Sequence, residues 1–172
     1  MGEWRGNGMV TISRKIVPCI WLEKDADKAA AFYVSVFGNA KILQTSYYPK
    51  AAEEVSGQKQ GTVLTVRFTL EEQEFMVLNG GPVFKLNEAV SFTVLCDTQE
   101  EIDYFWEKLS FVPEAEQCGW LKDKFGLSWQ IVPTVLASMT TDRDPEKVER
   151  VTAAFLTMKK IDISALKKVS RG

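Results

Sequence analysis

The hydrophobic positions of the first half of the chain alternate between strand-like and helix-like periods. KIVPCIWL, starting at Lys15, is a continuous apolar run typical of a strand. In the next segment Ala29, Tyr33 and Val36 share one helical face, and Asp25 or Asp27 can cap its start. Three further strands are predicted in KILQTSYYP, GTVLTVRFTL and QEFMVLN, the last two joined by a turn at residues 71–73.

The second half repeats this order of elements. EAVSFTVLC is a strand, and the helix after it has Thr98 and Glu101 at the spacing of a capping box. Two more strands, CGWL and LSWQIVP, flank a Lys-Asp-Lys/Gly turn. Strand, helix and strands therefore occur twice, which indicates two related modules in residues 15–134.

The tail after residue 134 is predicted to be helical. Asp144 can cap a helix that has Pro145 in its first turn, and a shorter helix begins near Ile163. The apolar stripe of the longer helix consists of Val148, Val151, Phe155 and Met158. This stripe must be buried on the body of the protein or on a second subunit. We therefore divide the chain into a flexible arm (1–14), a two-module domain (15–80 and 86–134) and a helical extension (135–172).

The composition excludes several classes of site. The chain has no histidine, which removes Ser-His-Asp and Cys-His machinery and any imidazole-based zinc or iron site. A net charge of −2 without a basic run argues against nucleic acid, and no apolar run is long enough to span a membrane. Three scattered cysteines are typical of reduced thiols, so we expect a cytoplasmic protein.

Four stretches of this sequence resemble one known group of proteins. They are VPCIWLEKDADKAAAFYVSVFG, LNGGPVFKLNEAVSFTVLCDTQEEIDYFWEKLS, CGWLKDKFGLSWQIVP and ERVTAAFLTMKKIDISAL. In this order they are similar to the PhnB-like branch, labelled 3-demethylubiquinone-9 3-methyltransferase-like, of the glyoxalase–bleomycin resistance–dioxygenase (vicinal oxygen chelate) superfamily. The resemblance implies an α+β fold of tandem βαβββ modules, whose open curved sheets form a ligand-binding hollow. It also implies a homodimer.

The resemblance also indicates where metal-using relatives carry their ligands. Those positions correspond here to Pro18, Ser91 and Gln130, with a fourth near Met76 or Val77. A proline side chain cannot ligate a metal, and a serine with one glutamine amide is a weak neutral donor set. We therefore predict no metal. Gln130 has two interpretations: a polar contact to a ligand, or a buried amide satisfied by the backbone or by Ser91.

Other conspicuous residues are given structural interpretations. Gly80-Gly81 is followed by no predicted helix, so it is a turn and not an S-adenosylmethionine cradle. The run 71–74 (EEQE) is predicted to be a solvated turn, and Asp123 a surface turn residue. With Pro18 facing inward, strand alternation places Trp21 on the helix side of its sheet.

Three functions of different classes remain open. The first is a metal-free, cofactor-free binder of an unidentified small molecule, with Gln130, Ser91, Thr93 and Pro18 as its ligand-binding residues. The second is an enzyme of the superfamily, of the lyase, isomerase or dioxygenase type, in which Ser91, Thr93, Gln130 or a tyrosine would stabilise an oxyanion. The third is a dimeric interaction protein whose pocket has become filled.

Overall fold

The computed structural model describes residues 15–172. The predicted arm at residues 1–14 lies outside the described residues. The chain divides into two compact units, Met1–Lys85 and Leu86–Gly172. The α+β class with two open sheets and a helical C-terminal extension is confirmed.

The first unit contains a four-stranded sheet with one main helix. Its elements are β1 (Cys19–Leu22), α1 (Ala26–Val36), β2 (Ala40–Tyr47), a short α2 (Glu53–Ser56), β3 (Val63–Leu70) and β4 (Gln73–Asn79). The strand order is β1-β4-β3-β2; β1 runs parallel to β4 and the other neighbours are antiparallel. This is the strand–helix–three-strand module that the sequence predicts, with a shorter β1 than KIVPCIWL indicates.

Helix α1 covers one face of this sheet. Tyr33, completely buried, stacks on Phe68 with ring centroids 6.0 Å apart, and Phe68 stacks on Phe75 at 5.8 Å. Register places Val77 on the same face as Ile20 and Val66. The predicted face of α1 is therefore confirmed, and its alanines allow the helix to approach the sheet closely.

The start of α1 is capped differently from the expectation. Asp25 occupies the cap position with φ 66°, but neither its side chain nor that of Asp27, in the first turn, makes the capping hydrogen bond. The amide of Ala26 instead donates to Oδ1 of Asn79 on β4, at 2.8 Å. The prediction of an aspartate cap is wrong because a distant asparagine supplies the acceptor.

Trp21 lies on the face of the first sheet opposite α1. Its strand neighbours Ile20 and Leu22 are the buried ones, so the prediction of a helix-side Trp21 is wrong. The indole Nε1 donates to the carbonyl of Gly81 at 2.9 Å, and the ring lies directly against Gly80. A side chain at position 80 would overlap the indole ring, which explains the glycine there.

The β3–β4 turn places two glutamates in the left-handed region of backbone space. Glu71 has φ 45° and Glu72 φ 65°, values that cost an ordinary residue free energy. The turn is where the sequence predicts it. Glu74 departs from the predicted solvated cluster: it is 3% exposed and forms an ion pair with Arg67 of β3. That pairing is what allows the carboxylate to be buried.

The second unit contains a three-stranded sheet. Its elements are β5 (Ser91–Cys96), α3 (Gln99–Leu109), β6 (Trp120–Lys122) and β7 (Ser128–Pro133), in the order β5-β7-β6 with β5 parallel to β7. Thr98 caps α3 by accepting from the amide of Glu101, which confirms the capping motif. The segment between α3 and β6 carries a single 3-10 turn, Pro113–Ala115, where the first unit has a long strand.

Three helices follow β7: α4 (Thr134–Thr140), α5 (Pro145–Leu156) and α6 (Ile163–Arg171). The Asp144 carboxylate accepts from the amide of Glu146 and Pro145 begins α5, as predicted. The core of the extension consists of Leu136, Val151, Ile161 and Leu166, with Phe155 and Met158 packed on it. The α5 stripe is thus covered within the second unit. None of the helices in residues 15–172 combines the length and hydrophobicity needed to cross a bilayer.

Candidate ligand-binding site

Gln130 lies on the face of the second sheet that points away from α3. Its strand neighbours Trp129 and Ile131 are buried, at 3% and 0% exposure, on the side where α3 packs. Register pairs Gln130 with Thr93 on β5 and with Trp120 on β6, so these three residues share the open face. The parallel β5–β7 pairing therefore brings together residues that are far apart in the sequence.

The amide of Gln130 is oriented by a serine on the neighbouring strand. Its Nε2 donates to Oγ of Ser91 at 2.9 Å. Both residues are half-buried, and Thr93 beside them is exposed. Among residues 15–172 neither the amide oxygen of Gln130 nor its second N–H has a hydrogen-bonding partner. The bond to Ser91 fixes the side chain and leaves one acceptor and one donor available.

A cavity of about 640 Å³ opens beside Gln130, within the second unit. Its wall is formed by Ala115, Gln117, Cys118, Trp120, Gln130, Val132, Leu136, Ala137, Thr140, Phe155 and Leu156. The volume is in the range of small-molecule sites. Ser91 and Thr93 are not part of this wall, so the structure places them beside the cavity and not in it.

A second hydroxyl on this sheet was not anticipated from the sequence. Ser128, paired with Ser91 in the β5–β7 register, is 1% exposed, and its Oγ has no hydrogen-bonding partner in the described part of the chain. Buried hydroxyls are ordinarily satisfied, so this one is an exception. Nothing in the residue pattern distinguishes Ser128 from an ordinary strand serine.

Pro18 belongs to the first unit. It precedes β1, and its carbonyl accepts from the amide of Met76 at 2.9 Å. Its ring borders a shallow depression together with Lys15, Ile16 and Gln73. The structure thus joins Gln130 to Ser91, with Thr93 alongside, and assigns Pro18 to a different unit.

The residues at the positions of the superfamily's metal ligands do not fit a divalent metal. Val77 is completely buried under α1, and neither Pro18 nor Met76 offers an oxygen or nitrogen side-chain donor. Ser91 and Gln130 add only neutral oxygens, and no three His, Cys, Asp or Glu side chains cluster within residues 15–172. Metal sites need several donors, usually with net negative charge.

Asp123 is a buried residue, contrary to the expectation of a surface turn. It is 1% exposed, and its carboxylate accepts from the amides of Phe125 and Leu127, at 2.8 and 3.1 Å, and from the indole of Trp129 at 2.8 Å. These donors satisfy the charge and define the β6–β7 turn. Asp123 is therefore a structural residue.

A larger hollow, of about 950 Å³, lies at the N-terminal ends of α3 and α6. Three of its polar side chains stabilise the structure: Gln99 accepts from the amide of Ile163 and donates to the carbonyl of Ile161, while Thr98 and Asp162 cap the two helices. Since these bonds hold the extension in place, we regard the smaller cavity at Gln130 as the candidate site.

Comparison with known proteins identifies the family. A family model described as 3-demethylubiquinone-9 3-methyltransferase matches residues 14–132. The chain belongs to this family. A Bacillus cereus structure, described as a putative member and PhnB protein, is 34% identical with a TM-score of 0.57. The match covers all of that chain but 70% of this one. The resemblance to the PhnB-like branch is thereby confirmed.

Two more distant structures share the fold of the family. The protein PA1353 from Pseudomonas aeruginosa is 15% identical over 70% of this chain and 98% of its own, with a TM-score of 0.50. The fosfomycin resistance protein FosX from Listeria monocytogenes is also 15% identical, over 77% of this chain and 99% of its own, with a TM-score of 0.52. At this identity the likeness concerns the fold alone. No curated protein matches the sequence.

Proposed function

We propose that this protein is a metal-free binder of a small molecule and that Gln130 is the polar anchor of its site. The observation that carries the proposal is the Ser91–Gln130 hydrogen bond, which holds the amide at the cavity with its oxygen unpaired within residues 15–172. Such an arrangement, a largely apolar pocket with a few polar groups of which at least one is held in place, is typical of small-molecule sites.

The family name implies methyl transfer, but the residues of this chain do not support that chemistry. A Gly-rich cradle for S-adenosylmethionine needs a helix directly after its glycines. After Gly80 and Gly81 the next helix is α3, which begins at Gln99; Gly80 accommodates the Trp21 ring and the carbonyl of Gly81 accepts from its indole. We therefore propose no methyltransferase step for this chain.

The same cavity bears on the two alternative functions, an enzyme and a dimeric interaction protein with a filled pocket. An open cavity at Gln130 favours binding over a filled pocket that serves only as an interaction surface. An enzyme would require a group that moves a proton, and all the lining side chains except Cys118 are non-ionisable. A metal-independent enzyme using Gln130 and its neighbours stays an alternative, which turnover of a bound ligand would reveal.

The test is native mass spectrometry of untagged protein, followed by titration of any copurified small molecule. We expect a small-molecule mass and no divalent metal. Gln130→Ala should weaken binding about tenfold, because it removes one hydrogen bond, and should leave the melting temperature nearly unchanged. Gln60→Ala, at an exposed amide of the first unit, is the matched control. A stoichiometric metal, or undiminished binding by the Gln130→Ala variant, would overturn the proposal.

We also propose a homodimer in the cytoplasm. Edge strand β2 exposes Ile42, Leu43 and Tyr47, at 44%, 43% and 57%, and exposed apolar edge strands are frequent sites of association. The three cysteines are free thiols, which supports a reducing compartment. Light scattering during size-exclusion chromatography tests the dimer: Leu43→Lys should shift the mass to that of a monomer, and a monomeric parent protein would refute it.

A further inference from the structure

We propose that the molecule bound at Gln130 is uncharged and largely apolar, carries one hydrogen-bonding group, and is selected by the C-terminal helices. This inference rests on the proposed function and deepens it. The inference has three parts: the charge of the cavity wall, the polar anchor Gln130, and the helices and strands that form the wall.

The cavity wall carries no charge. The lining side chains include no Asp, Glu, Lys or Arg. Glu116, which lies in the chain between Ala115 and Gln117 of the wall, is already engaged: its carboxylate accepts from Ser110 and pairs with Lys159 at 3.3 Å. A charged ligand entering this site would lose water without gaining an opposite charge. The wall therefore discriminates against ions of either sign.

Most of the wall is apolar surface. Trp120 and Val132 contribute from the sheet, and Leu136, Phe155 and Leu156 from the helices. Leu156 is 52% exposed at the end of α5, where a ligand would cover it. Burial of such surface contributes roughly 25 cal/mol for each Å². The aromatic ring of Trp120 also favours a ligand with a flat π face.

Gln130 defines the polar part of the ligand. One N–H of Nε2 is engaged by Ser91, so Gln130 leaves its amide oxygen, an acceptor, and its second N–H, a donor, to the cavity. A ligand with one N–H or O–H group would satisfy the oxygen, whereas a ligand without polar groups would leave both unpaired. We infer one hydrogen-bonding group on an otherwise hydrophobic molecule.

The extension supplies five of the eleven lining residues: Leu136, Ala137, Thr140, Phe155 and Leu156. All five lie beyond residue 132, where the family match ends. This part of the wall therefore comes from outside the region that the family model matches.

The test uses two fluorescent probes that differ in one charged group. N-phenyl-1-naphthylamine is neutral, apolar and has one N–H donor; 8-anilinonaphthalene-1-sulfonate has the same skeleton with a sulfonate. With the full chain at about 150 mM salt, which screens long-range attraction, we expect the neutral probe to bind one molecule per chain and about tenfold more tightly than the sulfonate.

Paired variants test the contribution of the extension. Ala137→Phe places a ring in the cavity and should weaken binding of the neutral probe about tenfold. Ser138→Phe, at the adjacent exposed position outside the wall, should leave it unchanged. Leu156→Arg, at an exposed site that tolerates a charge, should weaken the neutral probe and strengthen the sulfonate. The melting temperature of each variant shows whether the variant is still folded. If Ala137→Phe is unstable, Leu156→Arg alone tests the contribution of the extension.

The outcomes separate this inference from the proposed function. Three outcomes would overturn the inference alone. The parent protein could bind the sulfonate as tightly as the neutral probe or more tightly, or it could fail to bind the neutral probe. Both Ala137→Phe and Leu156→Arg could also bind the neutral probe with the affinity of the parent protein. Parental affinity of the neutral probe in Gln130→Ala would overturn the anchor on which both proposals rest. A copurified ionic ligand whose binding is weakened by Gln130→Ala would support the proposed function and contradict the inference that the ligand is uncharged.

Discussion

The indole Nε1 of Trp129 donates a 2.8 Å hydrogen bond to Oδ2 of Asp123, and both residues are almost completely buried. The bond joins the middle of β7 to the turn that precedes it. It places a carboxylate in the interior of the second unit, where the amides of Phe125 and Leu127 satisfy its other oxygen.

Trp129→Phe should lower the free energy of unfolding by about 1–3 kcal/mol, because it removes a donor to a buried carboxylate and keeps most of the ring. Trp120→Phe, whose indole forms no such buried bond within residues 15–172, should cost less. Urea denaturation monitored by circular dichroism measures both. Equal losses in the two variants would contradict the importance assigned to the Asp123 bond.

Gly80→Ala should destabilise the first unit by about 1–3 kcal/mol through overpacking. A Cβ at position 80 would lie 2.1 Å from Cε2 of Trp21, whose ring is held by its bond to Gly81. Gly38→Ala is the control, because a Cβ there has nothing within 4 Å. The measurement is the thermal midpoint of each variant; an unchanged Gly80→Ala midpoint would contradict the close approach.

Cys96 should resist alkylation in the native protein. Burial, reinforced by the negative charges of Glu101 and Asp97, raises the pKa of its thiol to about 12. At pH near 8 only about one molecule in ten thousand carries the reactive thiolate. Iodoacetamide followed by peptide mass spectrometry should label exposed Cys19 before Cys96, and unfolding in urea should abolish the difference. Equal native rates would refute this prediction.

Glu116 should make the protein less stable in acid. Its hydrogen bond from Ser110, helped by Lys159 and Trp106, holds the pKa of the carboxyl below its ordinary value of 4.5. A lowered pKa stabilises the fold at pH values above the unfolded pKa, and this stabilisation is lost as the pH falls through the folded pKa.

Glu116→Gln should therefore be less stable than the parent at about pH 7, and the two should converge as the pH falls below about 4. Glu114→Gln, at an exposed neighbour, serves as the control. Urea midpoints across this pH range provide the measurement. A Glu116→Gln curve parallel to that of the parent would refute the assignment.

Local signals in the sequence predict the elements whose partners are nearby in the chain. Thr98 with Glu101 and Asp144 with Pro145 define two helix starts correctly, since each capping bond spans only a few residues. The start of α1 at Asp25 was predicted correctly, but its capping acceptor was not, because Asn79 is 53 residues away from Ala26 on another strand. Helix α4 lies in the predicted helical extension but was not predicted as a separate helix, because Pro133 is its cap residue and no side chain caps it.

The candidate site, like the fold, could be predicted only where it depends on local sequence signals. The position of Gln130 opposite Trp129 follows from strand alternation, and Ser91 is one of the partners that the sequence leaves open for its amide. The location of Asp123 was missed because its burial depends on Trp129, which folds back over the turn. The cavity itself depends on how α4 and α5 pack beside β7, and a sequence pattern does not contain that packing.

The cavity lies between the strands β6 and β7 and the C-terminal helices α4 and α5, and this position has an evolutionary consequence. Substitutions in α4 and α5 can reshape one wall while the core around Ile131 and Leu121 stays intact. Ligand preference can therefore diverge faster than the fold. Proteins of this family that share the sheet, and even the name, need not share a ligand.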